Sequence, residues 1–261
     1  MNRPLQLVIP AAGLGKRFLD AGILTPKPCI EVNGIALINW VIGNFTLKES
    51  DKIIILTRKE IGIEPVVRNF WSDKLPNIEF IELDQVTDGP AETVSFALSQ
   101  LNPELPLIVA NSDQYVSEGL DGFVDQVRIG NSAGFILTMN AKGAKWSFVE
   151  RDRLSLNSIV RVVEKVEISD EATVGIYGWA KTNFFVDSYE EMKKANDRVQ
   201  GEFYVAPTYN YLVKNKMKIE AIKVGAINQS VHGLGTPEDL AQFKEWQQLD
   251  FHARLILKKI T

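Results

Sequence analysis

Residues 11–18 read Ala-Ala-Gly-Leu-Gly-Lys-Arg-Phe and follow an apolar run at 5–9. Gly13 and Gly15 have no Cβ, so backbone N–H groups there can close on phosphate oxygens. Lys16 and Arg17 add positive charge, and Arg17 can grip an oxyanion with two parallel hydrogen bonds. The spacing matches neither G-x-x-x-x-G-K-[ST] nor G-x-G-x-x-G, because Phe18 stands where a third glycine would be. A plain strand-to-helix turn carrying two surface cations is the competing reading. Further on, Thr25-Pro-Lys-Pro28 places Lys27 between two prolines. Each proline fixes its own φ and pushes the residue before it toward extended backbone, so the lysine stem leaves a stiff chain. A charge mounted that way, after a phosphate-type turn, is suited to being aimed at a ligand.

The elements that must hold these groups read as alternating strand and helix. Runs at 5–9, 53–56 and 107–109, and more weakly 78–83, are apolar on nearly consecutive residues, as strands buried on both faces require. Between them, 36–45, 63–71 and 90–101 have helical spacing, with Pro90 at a first helical position and Ala91, Val94, Ala97, Leu98 and Leu101 on one face. This alternation predicts a parallel sheet with right-handed crossover helices over 1–130. Ligands of such sheets sit beyond the carboxyl ends of the strands, where the glycine-rich turn falls. Strands at 135–139, 146–149, 159–163 and 173–180 follow without an evident crossover helix, which predicts antiparallel or mixed additions to the sheet. Helices at 184–195 and 205–214, a strand at 219–224 and a last helix from Thr236 complete the chain. Thr236-Pro-Glu-Asp239 supplies an N-cap, a first-turn proline and early acids, and Leu240, Phe243 and Trp246 form its buried stripe.

The 261 residues are 45% hydrophobic and 24% charged, with a net charge of −4. Nothing in the chain resembles a linker, repeat or low-complexity tract, so one continuous α/β domain with a β-rich second half is expected. The acidic balance and the lack of a basic block argue against nucleic acid or an anionic membrane as partner. Cys29 is the only cysteine and His232 and His252 the only histidines, which excludes a disulfide framework and a cysteine- or histidine-rich metal centre. No apolar run approaches the roughly 18 residues of a membrane span, and the N-terminal segment reads as a first strand, so a cytoplasmic enzyme is expected.

The pattern A-A-G-x-G-x-R, then T-P-K-P, then I-E-V-N-G resembles the signature of the sugar-1-phosphate nucleotidyltransferase family. Weaker similar blocks continue to about Phe243. The resemblance implies a Rossmann-like, GT-A-like mixed and mainly parallel sheet flanked by helices, with added antiparallel strands in the second half. It divides the domain into a nucleotide-binding half (1–130) and an acceptor-binding half (131–261). It implies that Ala11, Ala12, Gly13, Gly15, Lys16 and Arg17 surround the triphosphate, and that Lys27 bridges the nucleotide and the incoming phosphate. Gln85 and Gly89 fall in the block that reads the base. An amide offers both a donor and an acceptor, so Gln85 alone does not separate uracil or thymine from cytosine, and Gly89 admits a close approach to the backbone. Asp113, at the end of the 107–109 strand, resembles the family's metal site, and a carboxylate there is a hard oxygen ligand suited to Mg²⁺. By itself Asp113 reads equally as a turn or cap residue. Glu164-Lys165, Gly175 and Glu202 fall in blocks that contact the acceptor, with Lys165 on its phosphate. Without the resemblance, Glu164 and Lys165 read as a solvated surface pair.

One departure stands out. Before its last helix the family has Asp-x-Gly-Thr-Pro-Glu, whose aspartate is the second metal ligand, whereas this chain reads Val-His-Gly-Leu-Gly-Thr-Pro-Glu with Gly233 in that place. Either Asp113, phosphate oxygens and water suffice, or His232 or another residue substitutes. Blocks such as Thr-Asp-Gly-Pro-Ala-Glu-Thr and Gly-Glu-Phe-Tyr-Val-Ala-Pro are similar to a branch of capsule and surface-polysaccharide biosynthesis proteins. That branch includes a CTP-dependent phosphoglutamine cytidylyltransferase. The resemblance therefore implies an Mg²⁺-dependent transferase (EC 2.7.7 type) that joins an NTP, CTP favoured, to a phosphorylated small molecule and releases pyrophosphate. A non-catalytic nucleotide-binding homologue and a GT-A glycosyltransferase are the alternatives, and homo-oligomerisation stays open.

Overall fold

The computed structural model describes residues 3–249 except 72, 73, 75, 76 and 156; His252 lies outside the described residues. In chain order, β1 (Gln6–Pro10) leads through α1 (Lys16–Asp20), β2 (Glu31–Val32), β3 (Ile35–Ala36) and α2 (Leu37–Ile42) to β4 (Lys52–Arg58). Next come α3 (Ile63–Trp71), β5 (Ile78–Leu83), α4 (Pro90–Ser95) and β6 (Leu107–Ala110). They are followed by β7 (Gln114–Val116), α5 (Asp121–Ile129), β8 (Gly134–Asn140), β9 (Ser147–Arg151), β10 (Ile159–Glu164) and β11 (Glu171–Trp179). The last elements are α6 (Thr182–Lys194), α7 (Thr208–Lys214), β12 (Ile219–Ala226), β13 (Val231–Gly233) and α8 (Pro237–Leu249).

A mixed, mainly parallel sheet flanked by helices forms the centre. Its parallel half runs β5-β4-β1-β6, so the chain builds outward in one direction from β1 and then returns to add β6 on the other side. Connections leaving β1 and β6 therefore part, and a crevice opens beyond their carboxyl ends. β11 is antiparallel to β6 and to β8, β12 runs parallel to β8, and the antiparallel pair β9–β10 joins β11. Strand alternation feeds two cores: Leu7, Ile9, Ile53 and Ile55 face one, and Val8, Ile54 and Leu56 face the other. Beneath α8 lies a smaller cluster of Phe18, Trp40, Tyr115 and Phe243.

Several expected elements differ. The helix expected over 90–101 stops at Ser95 and resumes only as a 3-10 turn at Leu98–Gln100. The one expected over 205–214 starts at Thr208, just after Pro207. α5 was not expected, because Gly122 and two aspartates thin its apolar stripe to Phe123, Val124 and Val127. The β7–β13 ribbon, three residues per strand, is too short to show alternation.

A buried ion pair ties α5 to the start of the sheet. Arg128 sends Nη1 and Nη2 to the two Asp51 oxygens at 2.9 and 2.5 Å. Asp51 also accepts from the Leu5 and Lys48 amides, each at 2.8 Å. Burial opposes ionisation of Asp51, but the hydrogen bonds from Arg128, Leu5 and Lys48 outweigh it and hold its carboxyl below the usual aspartate value. Arg128→Met leaves that carboxylate buried without its partner and is expected to cost about 3–5 kcal/mol. Urea unfolding measures this. A carboxyl with a depressed pKa stabilises the fold above the ordinary value of 3.8, and that stability is lost as pH falls below it. The gap between variant and wild type should therefore close on acidification.

Candidate active site

Two adjoining clefts, of about 520 and 250 Å³, open at the crevice beyond β1 and β6. Asn111, Asp113, Pro90 and Tyr204 border both. The glycine-rich turn leaves β1 directly into the larger cleft, anchored by Ala11 N–H on the Leu56 carbonyl at 2.7 Å and by Arg58 Nε on the Ala12 carbonyl at 2.9 Å. Gly15 has φ +63°, and a Cβ there would stand 3.2 Å from the Lys27 Cβ. Its lack of a side chain thus serves both the left-handed backbone and the close stacking of this turn on Lys27. Nothing lies within 4 Å of where a Gly13 Cβ would be, so that face of the turn is open to the cleft.

Lys27 is not extended as its flanking prolines suggest. It opens a 3-10 turn, Lys27–Cys29, in which Pro28 sits where an amide would have no partner in any case. The turn is held by Cys29 N–H to the Pro26 carbonyl at 2.8 Å. From it the Lys27 ammonium reaches Asp113 Oδ2 at 2.9 Å, with the two side chains 18% and 24% exposed. Asp113 is held in turn through its own carbonyl, which accepts from Leu234 N–H at 2.8 Å.

Ala11, Ala12, Gly13, Gly15, Lys16, Lys27, Gly89, Asp113 and Glu202 border the larger cleft. Arg17, Glu164, Lys165, Gly175 and again Asp113 border the smaller one. Arg17, expected beside the triphosphate, is parted from Lys16 because successive helical residues point about 100° apart. Glu202, expected on the acceptor, falls on the larger cleft. Gln85 is exposed and borders neither cleft; Val86 and Thr87 stand there instead. The close approach that Gly89 (φ +124°) permits is to protein backbone: a Cβ would lie 2.6 Å from the Phe203 carbonyl oxygen. Phe203 N–H donates to the Asp88 carbonyl at 2.7 Å, and Ala91 N–H to the Phe203 carbonyl at 3.0 Å, stitching two chain segments into one wall. His232, raised as a substitute metal ligand, is buried with its ring 3.9 Å from Trp246 and borders neither cleft.

The smaller cleft has a charged floor. Lys165, in the left-handed region at φ 58°, sends its ammonium to Gln200 Oε1 at 2.9 Å and to the Tyr204 hydroxyl. Burial pushes the Glu164 carboxyl up, against a hydrogen bond from Ser147 and the charge of Lys165. Burial and the neighbouring Glu202 and Glu164 carboxylates push the Tyr204 hydroxyl up as well. Gly175, at φ +86° where β11 slips register, leaves room for Asn111: a Cβ would meet Asn111 Nδ2 at 2.5 Å. Sequence reasoning passed over Asn111, Gln114, Tyr204 and Asp239. Asn111 and Gln114 flank Asp113, and Tyr204 and Asp239 fall in quoted blocks, but no local spacing marks any of them as facing a cleft. Among the described residues, no group of three or more His, Cys, Asp or Glu side chains is placed to hold a metal ion, and no helix is long and apolar enough to cross a membrane.

No protein-family model matches the chain, and no curated protein does. Solved structures do match its fold. A nucleoside-diphosphate-sugar pyrophosphorylase from Vibrio cholerae RC9 is 24% identical with a TM-score of 0.80, over 92% of this chain and 99% of that one. A UDP-glucose pyrophosphorylase complexed with UDP-glucose is 16% identical with a TM-score of 0.75, over 94% and 99%. The inositol-1-phosphate CTP transferase of T. maritima is 13% identical with a TM-score of 0.69, over 98% and 95%. The chain shares the mixed Rossmann-like sheet of these proteins.

Because the raised pKa of Glu164 means that the folded state holds its proton more tightly, ionisation costs stability as pH rises above the ordinary value of 4.5. Glu164→Gln removes that cost. Thermal melts should show the variant above wild type at neutral pH and level with it below pH 4.5. A variant less stable at neutral pH would contradict the assigned burial penalty.

Proposed function

We propose that this chain is an Mg²⁺-dependent nucleotidyltransferase of the sugar-1-phosphate nucleotidyltransferase family. It would act in the cytoplasm, joining an NTP to a phosphorylated small molecule with release of pyrophosphate. The observation that carries the reading is the convergence of the glycine-rich turn, Lys27 and Asp113 on one cleft that adjoins a second, lined by Arg17, Lys145 and Lys165 as well as by carboxylates. Residues 1–130 supply most of the nucleotide side and 131–261 most of the acceptor side of one domain. The fold neighbours support the reaction class, since those compared are named as pyrophosphorylases or a CTP transferase.

In the reaction an oxygen of the acceptor phosphate bonds to the α-phosphorus. The bond from that phosphorus to the bridging oxygen of the β-phosphate breaks, and pyrophosphate leaves with the electron pair. No general base is required, because a phosphate monoester is already ionised near neutral pH. Both reactants are anions, so the chain's work is neutralisation and alignment. Amides at Gly13 and Gly15 with Lys16 receive the outer phosphates, and Lys27 the α-phosphoryl oxygens. Arg17 and Lys165, which share the smaller cleft, take the acceptor phosphate. The donor at Asp113 fits a hard cation: it is a carboxylate oxygen at the cleft that already carries an ammonium at 2.9 Å. Mg²⁺ on Asp113 would supply further neutralisation of phosphate charge. CTP as the nucleotide and a sugar 1-phosphate or phosphoglutamine-like acceptor, in capsule or surface-polysaccharide precursor synthesis, rest on the branch resemblance. The fold neighbours include a CTP transferase and a UDP-glucose pyrophosphorylase alike, so the base rests on that resemblance alone.

Pyrophosphate release, assayed with each NTP against a panel of phosphorylated acceptors in Mg²⁺, tests the proposal. Base-selective release with one acceptor class is expected. Nucleotide binding without any release would favour a non-catalytic homologue, and release of a nucleoside diphosphate from an NDP-sugar would favour a glycosyltransferase. Lys27→Ala and Asp113→Ala should each lose about 10²–10³ in rate while remaining folded. Gly13→Ala should melt like wild type, since open space surrounds its Cβ, yet bind NTP more weakly in a titration.

A further inference from the structure

We infer that Asp239, on the first turn of α8, supplies the second protein carboxylate to the divalent cation that Asp113 holds, from a backbone position other than the strand residue Gly233. The inference rests on the proposed Mg²⁺-dependent reading and concerns which residue completes its cation site. A Cβ built on Gly233 would stand 3.1 Å from Asp239 Cγ and 3.2 and 3.3 Å from its two oxygens. A Cβ built on Gly235 would stand 2.9 Å from Asp113 Oδ2. Two carboxylates therefore lie over two side-chain-free positions separated by a single residue. Two residues of chain span at most about 7 Å, so the two acids meet the same short stretch of cleft wall. Both acids and both glycines border the smaller cleft. A carboxylate rooted on α8 thus lies where a side chain at 233 would begin, and Gly233 is what leaves it room.

Three further observations point to a cation. Each acid is capped by an ammonium: Lys27 on Asp113 at 2.9 Å, and Lys145 on Asp239 at 3.3 Å. The Lys145 side chain is 44% exposed and Asp239 only 16%, so the lysine can swing out while the carboxylate stays. Second, Gln114 is 7% exposed and borders the same cleft, and its Oε1 has no hydrogen-bond partner. Gln114 stands directly across the ribbon from Gly233. A buried amide oxygen left unpaired by the chain takes its partner from outside it, and water carried on a cation in this cleft supplies one. Third, Asp239 is held in position, because its amide donates to Thr236 Oγ1 at 3.0 Å in the helix cap. Two carboxylates, with phosphate oxygens and water for the remainder, suit Mg²⁺, which keeps several waters and takes few protein ligands. A divalent cation between the acids would also release Lys27 and Lys145 toward the phosphates.

The test uses Mn²⁺ as the probe, its binding to the full chain followed by EPR in the presence of CTP. Asp239→Ala should weaken Mn²⁺ binding by about tenfold or more, whereas Lys145→Ala should tighten it by removing the competing ammonium. The double variant Gly233→Asp/Asp239→Ala should recover most of the affinity, because a carboxylate from 233 reaches the same place. A merely structural role for Asp239 would not be rescued that way. Should Asp239→Ala melt early, Asp239→Asn, which keeps the shape and loses the charge, replaces it. Wild-type Mn²⁺ affinity in the Asp239 variants, no recovery in the double variant, or no protein-bound Mn²⁺ in wild type overturns the inference. Pyrophosphate release is read separately. Release by a wild-type enzyme whose Mn²⁺ binding ignores Asp239 sinks this inference alone, whereas a tenfold Mn²⁺ effect without release sinks the proposed reaction and leaves the cation site.

Discussion

A lysine ammonium and an aspartate carboxylate, 2.9 Å apart at the point where the strand order of the parallel half reverses, set the arrangement of everything around them. Asp113 arrives from the end of β6 and Lys27 from the loop after β1, so the pair spans the crevice that the reversed strand order creates. Several local features exist to bring these groups together. Gly15 lets the turn after β1 lie against the Lys27 side chain, and the 3-10 turn between Pro26 and Ile30 fixes where that side chain starts. Arg58 pins the Ala12 carbonyl from the neighbouring strand. A largely shielded pair of this kind contributes little net stability, since desolvation offsets attraction. Its value on the proposed reaction is that both partners are exchangeable: phosphate can replace the carboxylate, and a metal ion the ammonium.

The second cleft extends the same electrostatic logic. Lys165 and Arg17 stand near Glu164 and Glu202, and Tyr204 lies between the two clefts. Carboxylates near the cations keep the unliganded cleft from holding several unpaired positive charges, while burial raises the proton affinity of Glu164. Beside the larger cleft the 88–91 and 203 backbones are joined, and they approach closely because Gly89 has no side chain. Gly89, which the resemblance places in the base-reading block, thus borders the larger cleft and also admits this backbone contact.

The parallel half was legible in the sequence because buried strands and their crossovers carry strong signals. The runs at 5–9, 53–56 and 107–109 are apolar on both faces, and β1, β4 and β6 form there. The long β11 and the strands around it were equally legible as additions. α5 was not, since Gly122 and its acids dilute the pattern, and the β7–β13 ribbon was too short to have one. In the site, the glycine-rich turn and Lys27 stood out by residue type and spacing and Asp113 by the family resemblance, and the structure brings all three to one cleft. Gln85 was placed at the base by block similarity, whereas the loop turns its neighbours Val86 and Thr87 to the cleft instead. Asp239 was read only as a favourable acid at a helix start. That it lies over Gly233 depends on how α8 docks on the Tyr115–Phe243 cluster, which no local spacing encodes.

The most direct measurement is a crystal structure of the chain with CTP and Mg²⁺ at saturating concentration. The account predicts that the Lys27 ammonium has left Asp113 for a phosphoryl oxygen, with the triphosphate against the 13–16 turn. An intact Lys27–Asp113 pair beside a bound nucleotide, or a nucleotide lodged away from that turn, would contradict it.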